Sequence, residues 1–201
     1  MVVDEIRDSG IDSVAVNCDV TDPREVALLA THPWVIAGVE VLVINHGRYD
    51  RVDAQELDFE HLRRTMSTNF EGAFLVWDTI KNSLTDDARI CVIGSQLGTR
   101  GSPHGADYSA SKAALAVWAR SLAQSFGTSR KRINIVAPGF VDTDILAGDS
   151  AEKRAARIQE VPLKRIGTPD DIAGTVSFLV SEGSKYITGT VIHVNGGLYL
   201  P

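Results

Sequence analysis

The sequence predicts an α/β fold, a doubly wound parallel sheet with helices on both faces. Three observations carry that prediction. Short β-branched runs alternate with segments of helical periodicity. The runs are apolar nearly throughout instead of alternating, as strands covered on both faces are. Small, polar or glycine residues follow the runs, where ligands approach the carboxyl ends of strands in such sheets.

Ser13 to Cys18 is the first strand candidate, a β-branched run. Asp22-Pro23-Arg24-Glu25 then sets an N-cap, a proline at the first helical position and a glutamate at the third, so a helix should run to about Ala30. Val39 to Asn45 (VEVLVIN) reads as a second strand, buried on both faces. Asp58 can cap a long helix reaching Leu84, its apolar face recurring at Leu62, Met66, Phe70, Ala73, Trp77 and Ile80. Arg89 to Gly94 is the third strand. The next helix runs from Ala106 and stops at Gly127, a natural C′ residue. Ile133 to Ala137 is the fourth strand, closed by Pro138-Gly139. Ser150 caps a short helix through Glu160, Thr168-Pro169 opens another, and Thr190 to Val194 is the last strand, ended by Gly196-Gly197.

Composition narrows the function. The 201 residues are 44% apolar and 23% charged, a soluble globular balance in one domain. The net charge of −6 argues against nucleic acid or an anionic membrane as partner, since both need a basic patch. Cys18 and Cys91 read as buried free thiols of a reducing, cytoplasmic compartment. Asp4 and Glu5 stand where a signal peptide needs apolar residues, and no run approaches the ~20 of a membrane span. No metal ligand set is expected.

Tyr108 and Lys112 are the strongest candidate pair. Four apart on a helix, they share a face. An ammonium near a phenol favours the phenolate, which makes the tyrosine a usable general acid or base. Ser95, at the end of a buried strand, can donate to a carbonyl oxygen. Asn69 lies mid-helix, where asparagine is a poor residue unless its side chain has a partner. Gly72, in the same helix, costs ~1 kcal/mol against alanine and points to close packing or a nearby ligand.

Read together, these residues resemble the short-chain dehydrogenase/reductase family, with a nearest likeness to 3-oxoacyl-acyl carrier protein reductases. The resemblance covers the whole chain. It rests on Asp19-Val20, Asn45-His46-Gly47, Asn69, Ser95, Tyr108-Ser109-Ala110-Ser111-Lys112, Pro138 to Thr143, Arg165 to Ala173, Tyr186 to Gly189 and Asn195-Gly196-Gly197. It implies hydride transfer between NAD or NADP and a carbonyl or secondary alcohol of a small molecule. Tyr108 would be the general acid/base. Lys112 would lower the Tyr108 pKa and hold the nicotinamide ribose. Ser95 would polarise the carbonyl, and Asn69 would fix a water in a proton relay. Asp19 and Val20 would face the adenine, and Asn45 and Gly47 the adenosine ribose. Pro138, Gly139, Val141 and Thr143 would shape the nicotinamide pocket. A homodimer or homotetramer is implied too.

The sequence departs from the family at one end. No G-x-G-x-x-G or T-G-x-x-x-G-x-G occurs among its 17 glycines. The resemblance therefore implies a single, N-terminally truncated domain without the first strand, glycine-rich turn and second strand, about 40 residues in all. Without that neighbour, Ser13 to Cys18 is expected to move inward and pair with Val39 to Asn45. Ile44 and His46 stand where the family usually has asparagine and alanine, and His46 reads as a pocket-wall residue. Two other readings remain open. One is a non-catalytic protein of the same fold acting through assembly of its two long helices. The other is a cofactor-independent dehalogenase-like enzyme, which Lys112 disfavours because such proteins carry arginine there.

Overall fold

The computed structural model describes residues 2–201. Nine α-helices occur among them: α1 Val2–Asp8, α2 Pro23–Leu29, α3 Pro33–Ala37, α4 Phe59–Met66, α5 Gly72–Ile80, α6 Leu97–Arg100, α7 Ala106–Ser125, α8 Ala151–Glu160 and α9 Pro169–Leu179. Four strands, β1 Val39–Ile44, β2 Leu84–Ile93, β3 Arg132–Pro138 and β4 Val191–Val194, form one parallel sheet in the order β1-β2-β3-β4.

The sheet is doubly wound because each central strand sends alternate residues to opposite layers. Ile90, Val92, Ile133 and Ile135 pack with Ala73, Trp77, Leu115 and Ala119 of α5 and α7. Cys91 and Val136 face the other way, onto Leu179, Ile172 and Val176 of α9. Capping chemistry sets the helix starts. Asp22, Asp58 and Ser150 each accept a hydrogen bond from a first-turn amide, and Thr168 forms a full capping box with Asp171. Gly127, at φ +55°, follows α7 in the left-handed conformation expected of a C′ glycine.

Four expectations need correction. Ser13 to Cys18 is not a strand, and no backbone ladder joins it to β1. β-Branched composition favours extended backbone, but a strand also needs an adjacent edge to pair with. This segment is tied to α1 instead: the Arg7 guanidinium donates to the Ser13 carbonyl, and Ser13 Oγ donates to the Val3 carbonyl. Second, β1 is buried on one face only. Val41 and Val43 are 41% and 43% exposed, because α9 packs against β2, β3 and β4. Third, the helix from Asp58 is not one regular helix. Residues Ser67–Glu71 form a π-helical turn between α4 and α5, a 3₁₀ turn follows at Lys81–Ser83, and β2 begins at Leu84. Fourth, Cys91 is buried but Cys18 is only half-buried.

Candidate active site

The carboxyl ends of β1, β2 and β3 deliver their following residues to one edge of the sheet. Helix α7 begins beside that edge, with Tyr108 in its first turn and Lys112 one turn later. The Lys112 Nζ reaches back to donate to the Ile93 carbonyl, 2.9 Å away at the end of β2, and lies 5.7 Å from the centre of the Tyr108 ring. Lys112 is 4% exposed and makes no ion pair among the described residues. Burial without a counter-charge pulls its pKa down to about 8. One of its three N–H donors is used by Ile93, so the others remain available to a ligand.

Tyr108 departs from expectation in one respect. Its pKa is raised, not lowered: burial has the largest effect, the neighbouring Tyr49 phenol adds to it, and a hydrogen bond with Ser95 opposes both. A neutral phenol at pH 7 is the form that gives up a proton. Ser95, just past β2, also accepts from the Leu97 amide at 3.1 Å, which fixes its hydroxyl at the start of α6.

Asn69 sits fully buried in the π-helical turn. Its Oδ1 accepts from the Arg48 amide at 2.7 Å, and its Nδ2 donates to the Arg48 carbonyl at 3.0 Å and to Ser111 Oγ at 2.9 Å. The amide thus ties the turn after β1 to α7. Gly47 completes the cradle. A Cβ there would lie 3.3 Å from Lys112 Nζ and 3.5 Å from Asn69 Oδ1. Gly47, Asn69, Lys112 and Tyr108 therefore converge. His46 is half-buried beside them, and its Nε2 has no hydrogen-bond partner. Burial, and then the Lys112 charge, lower its pKa, so its ring is neutral at pH 7.

The fourth side is built by the chain after β3. The Gln96 amide donates to the Pro138 carbonyl, bringing Ser95-Gln96 beside Pro138-Gly139. Gly139 passes so close to Asn195 that a Cβ would stand 2.7 Å from the Asn195 Cβ. Val141 pairs with Gly167 in an isolated parallel bridge, and Thr143 opens a 3₁₀ turn at Asp144–Leu146. Asp19 and Val20 are held by other neighbours than the Tyr108-Lys112 pair. Asp19 folds its carboxylate back onto the Thr21 amide and hydroxyl, Val20 packs on Gly72 at the start of α5, and Asn45 is exposed at the end of β1. Between Thr21 and Arg48 lies a cavity of about 360 Å³, also lined by Arg64, Ser67 and Thr68.

Sequence reading missed three contributors. Arg48 and Tyr49 carried no motif, and Gly98 no assigned role. A Cβ on Gly98 would stand 2.8 Å from the Lys112 carbonyl carbon, so this glycine lets α6 lie against α7.

A buried, donor-rich lysine beside a neutral tyrosine and a serine, at the carboxyl edge of a doubly wound sheet, forms a ligand site that can hold an oxygen atom and transfer a proton to it. A family model described as Enoyl-(Acyl carrier protein) reductase matches residues 2–199. The 3-oxoacyl-(acyl-carrier-protein) reductase MabA of Mycobacterium bovis is 38% identical over 186 residues, 91% of this chain and 75% of its own length. The reductase FabG of Staphylococcus aureus is 35% identical over 210 residues, 99% of this chain and 82% of its own. The crystal structure of a short-chain dehydrogenase/reductase (glucose/ribitol dehydrogenase) from Brucella melitensis superposes with a TM-score of 0.83 at 28% identity, covering 94% of this chain and 76% of that one. The chain belongs to the short-chain dehydrogenase/reductase family, close to the 3-oxoacyl-acyl carrier protein reductases.

Proposed function

We propose that this chain interconverts a carbonyl and a secondary alcohol, with Tyr108 as general acid/base and a 3-oxoacyl thioester as the oxidised substrate. The observation that carries the reading is the neutral Tyr108 phenol held between Ser95 and the buried Lys112. The thioester is supported by the two reductases at 35% and 38% identity.

The residues present fit the nicotinamide nucleoside half of NAD or NADP. Gly47 leaves a gap that a Cβ would fill, and Lys112 has donors free for ribose hydroxyls. When bound, the cofactor supplies or accepts the hydride. The protein does the rest. Ser95 donates a hydrogen bond to the substrate oxygen and orients the carbonyl. Tyr108 gives its proton to that oxygen as negative charge develops there. Lys112 stabilises the phenolate left behind. Asn69 Oδ1 and Lys112 Nζ face the same gap at Gly47, where a water relaying the proton back to Tyr108 has an acceptor and a donor. Pro138, Gly139, Val141 and Thr143 wall the nicotinamide side, Asn45 the adenosine ribose, and Asp19 and Val20 the adenine, while Gly47, expected at the adenosine ribose, lies against Lys112 and Asn69 instead. The sequence contains no glycine-rich pyrophosphate turn, so no residue is assigned to that group.

The test is oxidation of NADH and NADPH by the purified chain with acetoacetyl thioester, alongside Tyr108→Phe. Turnover that falls at least about a hundredfold in the variant supports the assignment; equal turnover by both overturns it. The non-catalytic reading is favoured by half-exposed Phe74 on α5 and Val117 on α7, an apolar face suited to a homodimer or homotetramer. Light scattering that finds only monomer counts against it.

A further inference from the structure

Tyr49 lies on the loop that follows β1, and its ring packs on Tyr108 with centroids 4.6 Å apart and planes at 43°. Three features hold it there. Its hydroxyl donates to the His104 carbonyl at 2.9 Å. Gly105 makes room for the ring, since a Cβ at that position would stand 2.5 Å from Tyr49 Cε2. The preceding residue, Arg48, is clamped on both its amide and its carbonyl by Asn69. Two more contacts strap the same loops together: the Ala54 amide donates to the Pro103 carbonyl, and Asp53 meets the His104 ring at 3.4 Å. A loop tyrosine restrained at this many points is a built part of the site.

We propose that Tyr49 is a positioning residue for Tyr108, fixing the ring that delivers the proton and keeping its hydroxyl protonated in the free enzyme. The inference rests on the assignment of Tyr108 as general acid. A phenol packed on a second phenol loses water from one face, and ionising both at once is opposed by like charge. Both effects favour the neutral acid, in the direction found for Tyr108. The other groups facing Tyr108 are Ser95 beyond β2 and Lys112 on its own helix; His46 lies beside Lys112, and His104 is paired with Asp53. In energetic terms, a floppy Tyr108 ring would lose near-attack geometry, which shows in kcat and not in substrate affinity.

Two variants separate the ring from the hydroxyl. Tyr49→Phe keeps the packing and removes the second phenol; Tyr49→Leu removes both. Ionisation of Tyr108 is read from phenolate absorbance, each protein being referenced to its own Tyr108→Phe partner, so no turnover is needed. The Leu variant should ionise Tyr108 at lower pH than wild type, by half a unit or more, about a threefold change in proton affinity. The Phe variant should fall between the two. With acetoacetyl thioester, Tyr49→Leu should lose about tenfold in kcat with KM within twofold, and Tyr49→Phe should recover most of that loss. One Tyr108 midpoint in all three proteins, or a loss carried wholly by KM, overturns the proposal. Undiminished turnover in Tyr108→Phe would instead overturn the assignment of the acid, leaving the absorbance titration to judge the Tyr49 contact.

Discussion

Asn69 clamps Arg48 at two points, accepting from its amide at 2.7 Å and donating to its carbonyl at 3.0 Å, 21 positions away in sequence. The clamp joins the π-helical turn to the loop after β1, and a third bond to Ser111 extends it to α7. Asn69→Leu removes all three bonds and leaves the Arg48 main chain unpartnered. We expect a loss of about 2–3 kcal/mol in urea unfolding. A change under about 0.5 kcal/mol, the level of a neutral surface substitution, would contradict it.

Lys112 should contribute less to stability at neutral pH than at pH 10. Its pKa is lowered from 10.5 to about 8 in the folded state by burial. Below pH 8 the lysine is charged in both states, and the folded state bears the whole desolvation cost, roughly 3 kcal/mol. From pH 8 to 10.5 the Lys112 site holds more protons in the unfolded chain than in the folded one, so its contribution to stability rises with pH across that window. Lys112→Met removes the charge along with the bond to Ile93. It should be about 1–2 kcal/mol more stable at pH 7, lack the alkaline rise, and be inactive. Parallel stability-pH curves for the two proteins would sink the argument.

Gly98→Ala should damage the site from outside it. The new methyl would meet the Lys112 carbonyl carbon at 2.8 Å and the Ala113 amide at 3.0 Å, both backbone atoms that cannot swing away. The strain costs about 1–3 kcal/mol, and α7 moves with Lys112 on it. Thermal melting and turnover should fall together, while Gly148→Ala, whose Cβ meets nothing within 4 Å, serves as the neutral control.

Arg132 is a structural cation. Its guanidinium is buried at the start of β3 and donates to the carbonyls of Leu179, Ser181, Ser184 and Ile187, gathering the end of α9 and the following turn. Lysine cannot reproduce a planar fork with this many donors. Arg132→Lys should cost about 2 kcal/mol by denaturant titration while KM for substrate stays unchanged. A KM shift without loss of stability would move Arg132 from scaffold to site.

Capping and turn residues were the most legible part of the chain. Asp22, Asp58, Ser150, Thr168 and Gly127 do what their side chains or missing side chain dictate within one helical turn, so nothing distant can override them. The misfit of Asn69 in a helix was legible too, and its partners supply the reason. Ser13 to Cys18 was not, because strand formation depends on an edge that local composition does not supply. The exposure of Val41 and Val43 escaped for the same reason, since it depends on where α9 stops. Arg48, Tyr49 and Gly98 carry no pattern in one dimension. Their roles arise from contacts with Asn69, Tyr108 and Lys112, residues far away in sequence.

By itself, then, the sequence determined the alternation of elements and the parallel sheet, and it singled out Ser95, Tyr108 and Lys112 as candidates, because periodicity, caps and residue spacing are local. Only the tertiary structure decided the electrostatic character of that set. Burial, a quantity of the whole fold, outweighs the short-range pairing expected from spacing: it leaves Lys112 with a pKa of about 8 and Tyr108 a protonated acid, pressed against a tyrosine from another loop.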